Sequence, residues 1–414
     1  MRRKGNIMAD RRRTDNVIYV EGSEETRREN ERRRFGRRRT RAGIAVAVIV
    51  LMVLVLVGVY VYLKMRTYKG IKVVDSAETL YDSNAEYLSF GENVLKYTPD
   101  GVSYINKKGE VVWTAGEDFR VPIASVCGDY AVVGDKGGNL VAVYGLEGQV
   151  SSVKMPYAIC DIDVAKQGAF AAILESDETN YIHMYDKTGN IIYEIQTSID
   201  KSGYPMDIAL SNDGKKLFTS YFKMDGVNIK NNLTAYNFGE VGQNENADRM
   251  VGGYSFDEEM VPKVEFVTND IVAAFSDSEI LLYNMKEKPS ERGSIKYGGE
   301  ATSIFYCSEY LGYIAPDKKK ENDTAYILHS YDLSGKKNFE YSFNMDYDKI
   351  YTAEDEIIIS GGNQCLIIQS NGRKKFSYTF DGIVKSITPS SRRNEYMVTF
   401  ENKTETIRLK TEDN

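Results

Sequence analysis

Histidine, cysteine and tryptophan are scarce in this chain of 414 residues, which has 2 His, 4 Cys and 1 Trp. Zinc sites, haem ligation and imidazole-based acid–base chemistry draw on His and Cys, so the scarcity excludes many enzyme classes. The signatures of common chemistries are also missing. There is no His-Glu-x-x-His, no Gly-x-Ser-x-Gly, no phosphate-cradling Gly-x-x-x-x-Gly-Lys and no EF-hand spacing of acidic residues. No cofactor is expected. Beyond one apolar run near the N-terminus, no segment sustains a period of 3.6, which excludes an alternating α/β chain.

What is present points to sheet. The chain is 42% hydrophobic and 27% charged, too polar for a multi-span membrane protein and too apolar for a disordered one. Its aromatic residues are lopsided, with 30 Tyr and 16 Phe. Tyrosine suits half-buried pleated sheet, where the ring packs and the hydroxyl stays wet.

The net charge of −7 is the sum of two opposed segments. Residues 1–41 hold 15 Lys and Arg against 7 Asp and Glu, and the remainder holds 38 against 53. Between them lies Ala42 to Leu63, 22 residues without a charge. As a helix this run reaches roughly 33 Å, enough for a hydrocarbon core of about 30 Å. It exceeds a signal-peptide apolar core and lacks a small-x-small exit, so it is expected to persist as an anchor. Seven arginines fall between Arg32 and Arg41, directly before the run, and only Lys64, Arg66, Lys69 and Lys72 follow it closely. The positive-inside bias then puts the N-terminus in the cytoplasm and the C-terminal bulk outside the cell, on a single-pass membrane protein. The tail, residues 1–41, is read as basic and disordered, with arginines that set topology and bind no nucleic acid.

The exterior repeats. A strand ends in Tyr, a turn with Gly follows, and a second strand begins: Tyr104…Gly109, Tyr144…Gly148, Tyr185…Gly189, Tyr236…Gly239, Tyr283, Tyr331…Gly335, and Ile368…Gly372 in the Tyr position of the seventh unit. Successive anchors are 37 to 51 residues apart. Periods of this size built from short strands predict an all-β fold, a β-propeller following the transmembrane helix. Seven units are visible, and an eighth hairpin runs through Glu395–Phe400 and Glu405–Leu409, one strand short of a blade. Gly70 to Asp75 has the pattern to supply it from the N-terminal side, since a propeller hides its sheet edges by closing the ring. Eight blades are preferred and seven kept as the alternative. The expected organisation is tail 1–41, transmembrane helix 42–63, stalk and possible ring-closing strand 64–85, extracellular propeller 86–410, and a disordered end 411–414. Phe238–Ser255 and Asp317–Asp323 read as loop insertions.

Ala209 to Phe218 resembles the Ser-Pro-Asp-Gly-Lys turn-strand phrase of bacterial surface propellers, with Asn212 in the Pro position. Tyr185-Asp186…Gly189 and Tyr331-Asp332…Gly335 are similar to quinoprotein-like and WD40-like repeats. The whole layout resembles a family of uncharacterised single-pass, membrane-anchored bacterial β-propeller proteins. The resemblance implies a fold and no known activity. Quinoprotein dehydrogenases hold their cofactor with Trp stacking and often a vicinal Cys pair, and this chain has a lone Trp113 and no such pair.

His183 and His329 each precede an anchor Tyr by two residues, and recurrence in register argues for packing or hydrogen bonding over catalysis. Cys127, Cys160, Cys307 and Cys365 permit three pairings, of which only Cys127 with Cys160, on neighbouring blades, is plausible; free thiols are the default for a domain this large. The remaining site candidates are Asp161 and Asp163, two apart on one strand face, and Asp207 one blade later. They are candidates for holding a cation or a basic ligand at the channel, or for capping turns and bonding the amides of neighbouring blades. The expected function is a membrane-anchored, non-catalytic binding or scaffold module for an extracytoplasmic protein, peptide or cell-wall ligand. The alternative is a propeller enzyme using channel carboxylates on a glycan.

Overall fold

In the computed structural model the described residues are 27–29, 31–32, 46–60, 62 and 65–411, except 79–81, 83, 178, 199–201, 227, 258, 319–324, 354 and 391. Residues 67–414 form one compact unit and residues 1–66 another. The larger unit consists of eight four-stranded antiparallel sheets. Seven are built from four consecutive strands, as in blade three: Ala158–Val164, Phe170–Glu175, Asn180–Tyr185 and Ile191–Thr197. First strands of neighbouring blades touch one another around the axis, so they line the channel.

The eighth blade is closed from both ends of the chain. Its order is Val384–Pro389, Glu395–Phe400, Lys403–Lys410 and then Gly70–Glu78 outermost. The register runs from Gly70 opposite Lys410 to Glu78 opposite Lys403. The segment before it is also fixed, because Tyr68 N–H donates to Lys375 O of blade seven at 2.8 Å and Asn394 Nδ2 donates to Tyr68 OH at 2.8 Å. The residues read as a stalk therefore include a structural strand of the ring.

The repeat phrase has two physical uses. Five of the six anchor tyrosines, Tyr104, Tyr144, Tyr185, Tyr236 and Tyr283, are buried at the ends of third strands, where they pack between sheets. The polar residue after the strand closes the turn: Asp186 Oδ1 accepts from Thr188 N, Thr188 Oγ1 and Asn190 N at 2.6–3.0 Å, and Asp332 Oδ1 does the same with Ser334 and Lys336. The following glycine allows the turn to reach the preceding blade. Gly189 has φ +91°, and a Cβ there would lie 2.4 Å from Val153 Cγ2 of blade two. Apolar clusters fill the spaces between successive blades; Val132, Val141 and Val143 of blade two pack on Ile162, Phe170 and Leu174 of blade three. Trp113 is one of these wedges. Its ring stacks between Tyr104 of its own blade and Tyr144 of blade two at 5.5 and 5.6 Å, and Nε1 donates to Leu146 O at 3.0 Å.

Several expectations are revised. The insertion in blade four ends earlier than Ser255, because Met250–Asp257 is that blade's outermost strand; residues between Asn237 and Met250 form the loop and hold the short helix Glu240–Glu245. Of the tail expected to be disordered, residues 27–29 and 31–32 are helical and the rest lies outside the described residues. Among the described residues no helix is long and apolar enough to cross a membrane. Residues 46–60 are helical with exposed apolar side chains, and 42–45, 61 and 63 of the expected span lie outside the described residues. The cysteines follow the default: all four are free, and Cys127 and Cys160 are not bridged; Cys365 is buried and the others half-buried. Most of the Asp317–Asp323 insertion lies outside the described residues.

Candidate functional site

Polar side chains gather on the channel-lining first strands of blades two to six. In blade three, Asp161-Ile162-Asp163-Val164 alternates carboxylate and apolar residues, so the carboxylates face the channel and Ile162 and Val164 face the core. Asp207-Ile208-Ala209-Leu210 occupies the same place in blade four, and Lys263-Val264-Glu265-Phe266 in blade five. In blades three and four a bulge precedes the first Asp: the register shifts between Ile159 and Asp161 and between Pro205 and Asp207. An extra residue there turns both aspartates in the same direction.

The carboxylates bond sideways, from blade to blade. Asp163 Oδ1 accepts from Ser125 Oγ of blade two at 2.7 Å, and its Oδ2 from Leu210 N of blade four at 2.7 Å. Asp207 Oδ2 accepts from Val264 N of blade five at 2.6 Å, and its Oδ1 from Lys263 Nζ at 3.2 Å. In both cases the aspartate reaches the amide one residue past its own equivalent in the next blade. Glu265 continues the series, accepting from Tyr306 OH of blade six at 2.9 Å and lying 3.8 Å from Lys263 Nζ. On another part of the channel wall, Lys349 of blade seven donates to Glu86 of blade one at 2.7 Å.

One ammonium, Lys263, thus stands among four carboxylates. Burial raises the pKa of Asp161, Asp163 and Asp207 above the ordinary carboxylate range, and for Asp207 the neighbouring Asp161 charge adds to it. Glu265 is pushed up to about 7, by burial first and then by the Asp163 charge. Burial alone would lower Lys263, but the carboxylates of Asp207 and Glu265 outweigh it and hold the ammonium above its usual value. Burial also pushes the Cys127 thiol up to about 11, so it is no ready nucleophile. The row can share protons and pin neighbouring blades. Among the described residues no three His, Cys, Asp or Glu side chains are grouped to hold a metal ion.

The three aspartates singled out in the sequence therefore come together on adjacent blades. Ser125, Lys263, Glu265 and Tyr306 were missed. Lys263-Val-Glu265 has the same polar-apolar-polar alternation as Asp161-Ile-Asp163, and aligning first strands would have exposed it. His183 and His329 lie in third strands, away from this row, each opposite a glutamate of the outer strand: Nε2 of His183 is 3.6 Å from Glu194 and Nδ1 of His329 is 2.9 Å from Glu340.

A sequence profile described as a family of unknown function, DUF5711, matches residues 64–409. The chain belongs to the DUF5711 family. No curated protein matches it in sequence. Among solved structures, the DUF5711 ring is similar to BamB from Moraxella catarrhalis, at 12% identity and a TM-score of 0.51, covering 82% of this chain and 100% of that one. It also aligns with the Pan2 WD40 domain of Neurospora crassa at 10% identity and a TM-score of 0.43, covering 69% and 87% of the two chains. Hsv2 of Kluyveromyces lactis aligns at 9% identity and a TM-score of 0.46, covering 77% and 98%. The BamB likeness establishes the propeller fold for this DUF5711 protein and leaves its activity open.

Proposed function

We propose that this DUF5711 chain is a non-catalytic binding module: a rigid ring held to a membrane by residues 42–63, with its N-terminus in the cytoplasm and the ring on the extracytoplasmic side. Its ligand is a protein, peptide or cell-wall polymer. The observation that carries the reading is the occupation of the channel carboxylates. Both oxygens of Asp163 and both of Asp207 accept hydrogen bonds, and Glu265 accepts from Tyr306. Hydrolysis of a glycan needs one carboxyl placed against the leaving oxygen and a second against water or the sugar, and groups already serving as blade-to-blade struts are poorly placed for either task. The reading is further supported by blade four, whose hairpin strands Lys216–Asp225 and Asn228–Asn237 are 10 residues each where most others are 5 to 8, extending the surface on which loops recognise partners.

The purified full chain is presented with cell-wall fragments and with peptides from the same compartment. Retention of a ligand without any change in it supports the module; release of reducing sugar that stops on Asp161→Asn or Glu265→Gln overturns it. Protease added outside intact cells tests the topology, since it should digest the ring and spare an epitope on residues 1–41.

A further inference from the structure

The outermost strands of the blades carry a recurring bulge just after the third-strand turn. In blades one, two and three the bulged residues are Val112, Val150 and Ile192, and in blade eight the bulge falls at Val74. All four are apolar and 43–53% exposed. In blades eight, one and three the preceding residue is also apolar and exposed: Val73, Val111 and Ile191. At the matching places of blades five to seven the side chains are Glu291 and Arg292, Lys337 and Asn338, and Lys374 and Lys375, all exposed except Lys375, which is buried against Glu356. Four consecutive blades thus show branched apolar side chains to solvent, where blades five to seven show Glu291, Arg292, Lys337, Asn338 and Lys374, and blade four shows Met250 with Val251 turned inward. The four are joined along the rim: Gly109 of blade one packs against Ala77 of the closing strand, and Ser151 of blade two donates to Lys187 O of blade three at 2.7 Å. Two valines exposed together on one blade are unremarkable; the same choice repeated on one side of a ring is a surface feature that needs an occupant.

We infer that this apolar rim of blades eight, one, two and three rests on the surface of a lipid bilayer. The inference depends on the membrane anchor proposed above and adds which part of the ring meets the lipid. Connectivity selects the occupant. Six residues, 64–69, separate the end of the apolar run from Gly70, which opens the strand bearing Val73 and Val74. Fully extended, they span at most about 20–25 Å, so blade eight's outer strand stays within reach of the headgroups. Lys64, Arg66, Lys69 and Lys72 lie along that approach and suit anionic headgroups, while the apolar residues of the rim suit the boundary with the acyl chains.

The single tryptophan is a built-in reporter, because Trp113 directly follows Val111 and Val112. The full chain is reconstituted in nanodiscs of phosphatidylcholine and phosphatidylglycerol, with or without a nitroxide on the headgroup, and indole emission is compared. A loss of Trp113 emission in labelled discs, reversed by the combined exposed-site variants Val112→Lys and Ile192→Lys while the chain still floats with the lipid, is the expected result. Unchanged emission from a chain that floats with the lipid overturns the inference and leaves the anchor standing. A chain that fails to float overturns both. Unchanged emission together with a dimer that the same variants dissociate, measured by light scattering, assigns the rim to a second copy and overturns the inference.

Discussion

Glu265→Gln separates the cost of burying charge in the channel from every other contribution to stability. In the folded ring this carboxyl is raised from an ordinary 4.5 to about 7, chiefly by burial. Because the folded-state value is raised, the ring binds more protons than the unfolded chain between these limits. Stability at this site is therefore fully present below pH 4.5 and is lost as pH rises through 7. A displacement of this size corresponds to about 3 kcal/mol, and allowing for partial exposure leaves roughly 2–3. Glutamine cannot ionise, and its carbonyl still accepts from Tyr306 OH, so the variant removes the penalty while keeping the strut. For a ring of this length, unfolding entropy of about 2.1 cal/mol/K per residue turns that energy into a rise of about 3–4 °C in Tm. Scanning calorimetry of both proteins across this pH range should show melting temperatures that coincide below pH 4.5 and separate above 7, with the variant higher. A difference that does not change with pH, or a variant that melts lower at alkaline pH, would refute the placement of Glu265 in a desolvated, carboxylate-rich row.

Three further outcomes test the fold around that row. Asp207→Ala strands the buried Val264 N–H and should cost about 1–3 kcal/mol in urea unfolding, whereas Asp207→Asn, which keeps an acceptor, should cost under about 1. Burial lowers the pKa of both His183 and His329, so acidification below about 6.5 should charge the unfolded chain first and drain stability; His183→Gln and His329→Gln together should flatten the fall in Tm through that range. Gly189→Ala, forced to φ +91° with its Cβ on Val153, should lose about 1–3 kcal/mol, while Gly362→Ala, at φ +54° with nothing within 4 Å, should lose less.

The repeat was legible because each unit states its own local chemistry. A Tyr that packs, an Asx residue that closes the turn and a Gly that lets it touch the previous blade are all set by near neighbours in sequence, so they recur as a readable phrase. The closing strand was legible for a related reason, since the last hairpin lacks a partner and Gly70–Asp75 has a suitable pattern, although the strand runs on to Glu78. The blade-to-blade bonds were hidden. That Asp163 meets Leu210 N, 47 positions away, depends on how one sheet is rotated against the next, and no local pattern encodes it. Blade four's outer strand was hidden by Gly252 and Gly253, which read as loop; Gly253 is needed because a Cβ there would lie 2.4 Å from Leu233 O. Trp113 reads in the sequence only as too little for a cofactor stack; its place as a wedge between Tyr104 and Tyr144 is a role only its neighbours reveal.

The pairing of Gly70 with Lys410 also sets the order of assembly. During synthesis the closing strand emerges before the other strands of the ring and then waits for Lys403–Lys410, so the ring stays open until those residues have been made. Until Gly70–Glu78 docks on it, a folded Lys403–Lys410 presents an unpaired edge to which the equivalent strand of another molecule fits as well as its own. Delayed docking of residues 70–78 should therefore yield strand-exchanged oligomers, and crowding of nascent copies would favour them, whereas loss of these residues leaves no strand to exchange.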